Sequence, residues 1–373
     1  MPVSIERVPR LNRHRNTGPR LPMLRAAIAL AILAAFSLSS CAAKNDDTAT
    51  ATASFTAMDT AMTVTVHAHD RNEADEALSS CTEIVRGLDE ALSPTEDGSW
   101  IARLNDADEP LPAPDDVEKL IEEALGMAEA TGGAFDPTIY PLTSAWGFTS
   151  GNYRTPSDAE IETALTRVGF RSVDVDAASG AVTLDNEAQL DLGGIAKGYA
   201  ADRITAELRD RNATGALVDL GGNVTVLGSK PDETPWTVGI ADPHNPEALA
   251  GTLQLSEATV STSGDYQRYF VDSEGIRRHH LIDPETGYPA ESGLSSVSVV
   301  ATSGAQADAL STALFVLGVD RAVDLWRATQ NDEALAFEAV FIACDGSVLV
   351  TEGLSTSFAP SAAYDGRVET VPR

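Results

Sequence analysis

Hydrophobic and polar positions recur along this chain with two periods, and the periods divide it into elements. Met62, Val64 and Val66 alternate with threonines inside Phe55 to His67, the pattern of a half-buried strand. Ala74, Ala77, Leu78, Cys81, Ile84, Val85, Leu88 and Leu92 recur at helical spacing, which predicts an amphipathic helix ending near Leu92 before a Ser93-Pro94-Thr95 loop. A second helix begins near Asp115, gathers Val117, Leu120, Ile121, Ala124, Leu125 and Ala128 on one face, and stops at Gly132-Gly133. Ser157-Asp158-Ala159-Glu160 has the form of a capping box for a short helix to about Val168. Val173 to Val175 and Val182 to Leu184 read as a small hairpin, and Ala188 to Leu192 as an extended segment before a helix from about Ile195 to Arg211.

From there the pattern turns mostly to strands. They are predicted at Ala216 to Leu220, Val224 to Leu227, Trp236 to Ile240, Gly251 to Leu255, Tyr269 to Val271, Ile276 to Ile282 and Val297 to Ala301. Helices follow at Ala305 to Leu317 and about Arg321 to Ala328, and a last hairpin turns at Asp345-Gly346. Helices and strands are interspersed without a regular βαβ period and without an internal repeat. The fold class expected is therefore α+β, one domain with two lobes and a cleft between them.

The two ends read differently. Six arginines up to Arg25 precede an apolar run from Ala26 to Leu38, which falls short of the roughly 20 residues that a spanning helix needs and suits the core of a signal peptide. The run ends in Leu38-Ser39-Ser40-Cys41, which resembles a bacterial lipobox. Residues 1–40 are expected to be a lipoprotein signal, with Cys41 as the lipidated residue that anchors an exported protein to the outer face of a membrane. A plain secretory signal with a chance cysteine is the other reading. Residues 41–53 are expected to form a flexible tether, residues 54–357 the folded domain, and residues from 358 to 373 a loose tail.

Charge narrows the partners. With 26 Lys+Arg against 56 Asp+Glu the net charge is −30, which disfavours nucleic acid and anionic lipid. Any phosphate bound by such a chain needs a local positive feature. Cys81 and Cys344 read as two unrelated structural cysteines, and no cysteine spacing suits a metal.

Such a local feature is offered by Asp191-Leu192-Gly193-Gly194-Ile195-Ala196-Lys197-Gly198-Tyr199. Two glycines allow a tight turn and close approach to a ligand, and Lys197 lies in the first turn of a helix whose free N–H groups attract anions. The alternative is an ordinary tight turn with a surface lysine. Asp308 and Thr312, four apart, lie on one helix face and could offer two oxygen ligands to Mg²⁺, although such a pair is also common without a metal. His279 and His280 at a strand end are candidate bases, or solvated or structural histidines. Gly133-Ala134-Phe135-Asp136-Pro137-Thr138 with Trp146 forms either a buried anchored loop or a ligand-facing one. Ser263-Gly264-Asp265-Tyr266 offers a loop of small residues and a tyrosine.

In order along the chain, GGAFDPT, WGF, DLGGIAKGYAADR, LVDLGGN, STSGDYQRYF, HLIDPETGYP and ADALSTALFVLG, with the early Met58-Asp59-Thr60, strongly resemble the ApbE-type FAD:protein FMN transferases. The resemblance covers about Phe55 to Leu354. It implies a mixed or antiparallel α+β domain with flanking helices and an FAD cleft, and transfer of FMN from FAD to a threonine or serine of an acceptor flavoprotein, with Mg²⁺ and release of AMP. It further implies Gly194, Asp308 and Thr312 as metal ligands, and Met58, Ala134, Phe135, Asp136, Asp191, Lys197 and Ile282 as FAD contacts. His280 is implied as the base, and Asp283 is expected to orient it. Thr95 stands where the family has a tyrosine, and Ser311 where some members have a further metal-binding acid. Two other functions are compatible with these motifs: an exported Mg²⁺-dependent FAD pyrophosphatase yielding FMN and AMP, and a lipoprotein that only binds a small molecule.

Overall fold

The computed structural model describes residues 49–373. The chain enters through a long hairpin, β1 (Ala49–Ala57) and β2 (Thr60–Ala68). Met58 and Asp59 turn it with positive φ, as a two-residue hairpin loop demands. Ala49–Ala53, expected in the tether, are thus already paired strand, and only residues 41–48 of that expectation lie outside the described residues. The signal segment and Cys41 lie outside them as well.

The predicted amphipathic helix is α1 (Arg71–Leu92), started by Asp70, whose carboxylate accepts from the N–H groups of Asn72 and Glu73. After α2 (Trp100–Asn105) and the short β3 (Leu111–Pro112), α3 (Asp115–Ala130) ends just before Gly132, and α4 (Tyr140–Ala145) leads into Trp146. The capping box of α5 (Asp158–Leu165) is present in both directions, and β4 (Val173–Asp176) and β5 (Ala181–Leu184) form the small hairpin. Ala188 to Leu192 pairs with no strand, so α6 (Ala196–Asp210) is entered from an irregular segment, not from a strand.

The second half supplies β6 (Gly215–Asp219), β7 (Val224–Gly228), β8 (Trp236–Asp242), β9 (Asn245–Leu255), β10 (Ala258–Gly264), β11 (Tyr269–Val271), β12 (Arg277–His279) and β13 (Leu294–Ala301). Next comes α7 (Gly304–Thr329), broken at Gly318, whose φ of 73° and ψ of 170° divide it close to the predicted boundary between two helices. The chain ends with β14 (Glu338–Ala343), β15 (Val348–Thr351), β16 (Phe358–Pro360) and β17 (Val368–Val371). The expected loose tail is therefore not loose. β16 pairs with β9, β17 runs parallel to β15, and Tyr364 between them is buried with its hydroxyl donating to Asp242.

One nine-stranded sheet, ordered β1-β2-β6-β7-β10-β13-β14-β15-β17 and antiparallel except at β15–β17, organises the domain. Alternate residues of its central strands serve two cores. Val297, Val299, Ala339 and Phe341 pack with apolar residues of α1, α3, α6 and α7, whereas Val300, Val340 and Ile342 pack with Trp236, Val238, Ile240 and Leu253 of the β16-β9-β8 sheet. Covered on both faces, β13 has no exposed residue and reads as a continuous run of small and apolar residues. A smaller lobe forms around Trp146, with Leu142, Phe148, Ile161, Ala164 and Ile282. The architecture is the expected α+β domain of mostly antiparallel sheets with flanking helices.

Candidate functional site

The site begins where α6 and α7 cross. Gly198 in the first turn of α6 lies against Gly304, the first residue of α7, so closely that a Cβ on either would fall on the carbonyl of the other. Each helix then caps its neighbour. The Asp202 carboxylate, from α6, accepts from the N–H groups of Gly304 (2.6 Å) and Ala305 (2.9 Å) and from the Ser303 hydroxyl (3.0 Å). Asp308, from α7, accepts at Oδ2 from the Gly198 N–H at 3.0 Å. Helix starts leave such donors unpaired, and here carboxylates from another element satisfy them.

The crossing fixes Asp308 beside the glycine turn that precedes α6. A Cβ on Gly194 would lie 3.2 Å from the Phe135 ring and 3.7 Å from Thr312 Oγ1, so Gly194 and the Asp308–Thr312 face meet at one spot. Asp308 is buried, whereas Gly194, Thr312 and Lys197 are half-exposed, and the site opens on their side. Lys197 donates to the Gly193 carbonyl at 3.4 Å across its own first turn. Asp191 holds the turn, accepting from the Gly193 N–H (2.9 Å) and the Thr143 hydroxyl (3.3 Å).

A carboxylate, a hydroxyl and a backbone carbonyl are hard oxygen donors of the kind Mg²⁺ takes. Among the described residues no group of three or more His, Cys, Asp or Glu gathers to hold a metal. A cation here would draw its remaining ligands from substrate phosphates and water, as Mg²⁺ commonly does. Ser311 is fully buried and donates to the Asp308 carbonyl at 2.9 Å, so it faces the protein instead of the open side.

His280 lies at the seam between the large body and the Trp146 lobe. Its ring is 6.4 Å from that of Phe148, edge to face. Nδ1 is 3.2 Å from the Arg268 carbonyl, which can only accept, so Nδ1 carries the proton and Nε2 keeps its lone pair. Burial, then the Arg268 and His279 charges and more weakly Lys197, push the His280 pKa below its ordinary value. Its ring is therefore neutral at pH 7 and able to accept a proton.

Asp283 does not orient His280, contrary to the sequence expectation. Its carboxylate accepts from the Glu285 N–H and the Thr286 hydroxyl, and its carbonyl accepts from Gly287. Asp283 builds the tight turn that brings the Gly287 carbonyl to the Trp146 indole N–H at 2.8 Å. Ile282 is buried in the Trp146 lobe.

Asp136 is occupied within the protein as well, accepting from the Thr138 N–H and hydroxyl and from the Phe170 N–H. Burial raises its pKa against those bonds. Its carboxylate fastens the loop that presents Ala134 and Phe135, whose ring reaches Gly194. Met58 lies in the β1–β2 turn, packed against the main core, its N–H donating to Asp89. Thr95 sits in a turn held by Ser93. Among the described residues Cys81 is buried, Cys344 is exposed, and the two are not paired with each other.

His279 is the structural histidine of the pair. Its Nε2 meets the Ala290 carbonyl at 3.2 Å, and burial lowers its pKa to about 4. The unfolded chain binds a proton near pH 6.5 that the folded chain refuses. This contribution to stability is therefore complete above pH 6.5 and is lost as pH falls toward 4. Between pH 7 and pH 5 the loss is expected to be about 2 kcal/mol. Urea unfolding at the two pH values checks it, and an unchanged dependence in His279→Gln would sink the assignment.

Asp202, which caps α7, and Asn223 and Ser261, which lie behind Asp308, are not singled out in the sequence, whereas Ser263 is, as the first residue of the Ser263-Gly264-Asp265-Tyr266 loop. The signal available was the i, i+2 spacing of the two serines in Thr259-Val260-Ser261-Thr262-Ser263, which on a strand puts both on one face.

The sequence model of the ApbE family matches residues 58–337. A protein of Treponema pallidum named "FAD:protein FMN transferase" is 36% identical over 76% of this chain and 81% of its own length. One of Klebsiella pneumoniae with the same name is 32% identical over 77% and 88%. Among solved structures, the ApbE protein of Thermotoga maritima superposes with a TM-score of 0.75 at 33% identity, covering 86% of this chain and 99% of that one. The flavinyl transferase ApbE of Pseudomonas stutzeri, in its apo form, gives 0.71 at 30% identity, covering 86% and 97%.

Proposed function

Because this chain belongs to the ApbE family, we propose that it is a Mg²⁺-dependent FAD:protein FMN transferase. It takes FAD, passes FMN through a phosphoester onto a threonine or serine of an acceptor flavoprotein, and releases AMP. The observation that carries this reading is the meeting of Gly194 with Asp308 and Thr312, residues more than a hundred positions apart, at the open end of a helix crossing.

Each residue has work of its own in that reaction. Gly194 would lend a carbonyl and Asp308 and Thr312 side-chain oxygens to Mg²⁺, and Gly194 has no Cβ to crowd the Phe135 ring. Mg²⁺ supplies charge neutralisation of the pyrophosphate and of the departing AMP oxygen. Lys197 and the first turn of α6 add positive potential on a chain of net charge −30. His280, neutral with a free Nε2, accepts the proton of the acceptor hydroxyl, a poor nucleophile at neutral pH. The Leu38-Ser39-Ser40-Cys41 stretch supports export with a lipid anchor on Cys41, and the mass of the mature N-terminal peptide tests that reading.

The test of function is the mass of an acceptor flavoprotein after incubation with the protein, FAD and Mg²⁺. A gain of one FMN, abolished by EDTA, supports transfer. FMN and AMP in solution with an unmodified acceptor supports hydrolysis, and intact FAD throughout rejects both. His280→Ala is expected to slow transfer by about 10²–10⁴-fold with FAD binding retained. With its pKa lowered, His280 should keep wild-type transfer level as pH falls through 6.5. A drop centred there, absent in His280→Ala, would mean a solvated imidazole.

A further inference from the structure

The polar cluster behind the site raises a question of proton placement. Ser261 Oγ on β10 lies 2.6 Å from Asn223 Oδ1, 3.2 Å from Asp308 Oδ1 and 3.4 Å from Ser311 Oγ. A hydroxyl has one proton, and both the amide oxygen and the carboxylate can only accept. Two acceptors thus compete for a single donor in a place where Ser261 is 1% exposed and Asp308 5% exposed. Meanwhile Asn223, 3% exposed, has an Nδ2 without any partner. A half-turn of the Asn223 amide resolves the competition, since amide oxygen and nitrogen are nearly isosteric. The NH₂ group then donates to Ser261 Oγ, and the Ser261 proton is released to Asp308 Oδ1. The atom left unpartnered becomes a carbonyl oxygen, which a buried site tolerates better than an orphaned donor.

The same counting orders the other half of the cluster. Ser311 donates to the Asp308 carbonyl at 2.9 Å, so Ser263, 2.8 Å away, donates to Ser311. Thr312, 3.3 Å from Ser263, then donates to Ser263 and keeps its lone pairs for the open side. Both serines come from one face of β10, two residues apart; one chain ends on the Asp308 carboxylate and the other starts from the Thr312 hydroxyl.

We propose that Asn223, Ser261 and Ser263 are positioning residues that orient Asp308 and Thr312 as cation ligands through two one-directional hydrogen-bond chains. The inference rests on the reading of Asp308 and Thr312 as metal ligands. With Oδ2 held by the Gly198 N–H and Oδ1 by the Ser261 hydroxyl, the Asp308 carboxylate cannot rotate, and one lone pair of each oxygen is already used. Partners of this kind govern metal affinity because they set the angle and basicity of the ligand.

Mn²⁺, which takes the same oxygen ligands as Mg²⁺ and is visible by electron paramagnetic resonance, provides a readout independent of turnover. Binding is titrated on the purified protein with FAD present. Asn223→Ala and Ser261→Ala are each expected to weaken Mn²⁺ about 10- to 100-fold. The double variant should be no weaker than Ser261→Ala alone, because the amide acts only through the hydroxyl. Ser261→Thr, which restores a hydroxyl, should recover affinity. Thermal midpoints without metal identify any variant whose loss is one of folding, and Ser261→Thr then carries the comparison. Unchanged Mn²⁺ affinity in both single variants, or losses that multiply in the double variant, would overturn the relay while leaving the metal site standing. A wild-type protein that binds no Mn²⁺ with FAD present would overturn the metal-site reading, and the relay with it.

Discussion

Asp308→Asn is expected to lower FMN transfer and FAD cleavage by about 10³-fold. That is the upper end of what one group preorganised for transition-state charge contributes, since this carboxylate anchors the main counter-charge. The substitution keeps the shape of the side chain and an oxygen that can accept from the Gly198 N–H, so the helix crossing keeps its bond. What disappears is the negative charge that makes Asp308 a ligand for Mg²⁺. Stability should change by only about 1 kcal/mol, the difference between a charged and a neutral acceptor. Activity and the urea midpoint measured on the same preparation separate the two effects. Full activity with an unchanged Mg²⁺ dependence would remove Asp308 from the metal site.

Gly198→Ala should do the reverse, striking the fold first and the chemistry through it. The added methyl would fall on the Gly304 carbonyl and 2.8 Å from the Ala305 nitrogen, which are backbone atoms of another helix and cannot swing aside. The start of α7 must move away from α6, which withdraws Asp308 from the Gly198 N–H and loosens the Asp202 cap together. Overpacking of this kind costs about 3 kcal/mol or more. A displacement of Asp308 on the order of 1 Å adds about 10²-fold in rate among the molecules that remain folded. Gly126→Ala makes the control. It lies inside α3 with nothing within 4 Å of its missing Cβ, and gains up to about 1 kcal/mol from helix propensity. Equal stabilities for the two variants would show that the crossing yields more readily than its geometry implies.

The elements that the chain specifies locally are legible in the sequence alone. The 3.6 period of α1 and α3, the capping box of α5, the Asp345-Gly346 turn and the break at Gly318 all depend on neighbours a few residues away, and each lies close to its expected place. The family is legible in the same way, because its motifs follow one another in order along the chain and carry the residues of the site with them. Two local readings fail where a pairing partner decides. Ala49–Ala53 look like polar tether but pair with β2 across the hairpin, and Phe358–Pro360 and Val368–Val371 look like a loose tail but are strands because β9 and β15 offer them partners.

The candidate site shows the same division. Asp308 and Thr312 share a helix face by spacing alone, and the glycine turn before α6 is local too. That they meet, with Gly194 close to Thr312, is decided only by the Gly198–Gly304 crossing and the reciprocal caps of Asp202 and Asp308. The expected role of Asp283 fails for a related reason. Its closeness in sequence to His280 suggests a contact, but a carboxylate next to a Pro-Glu-Thr-Gly stretch finds nearer donors in its own turn. Asn223 and Ser261 are not singled out by the sequence, and Ser263 only as the start of a small-residue loop, since a serine or an asparagine is polar anywhere. Their significance comes from burial around Asp308, where each proton has one place to go, and burial is a property of the packed whole.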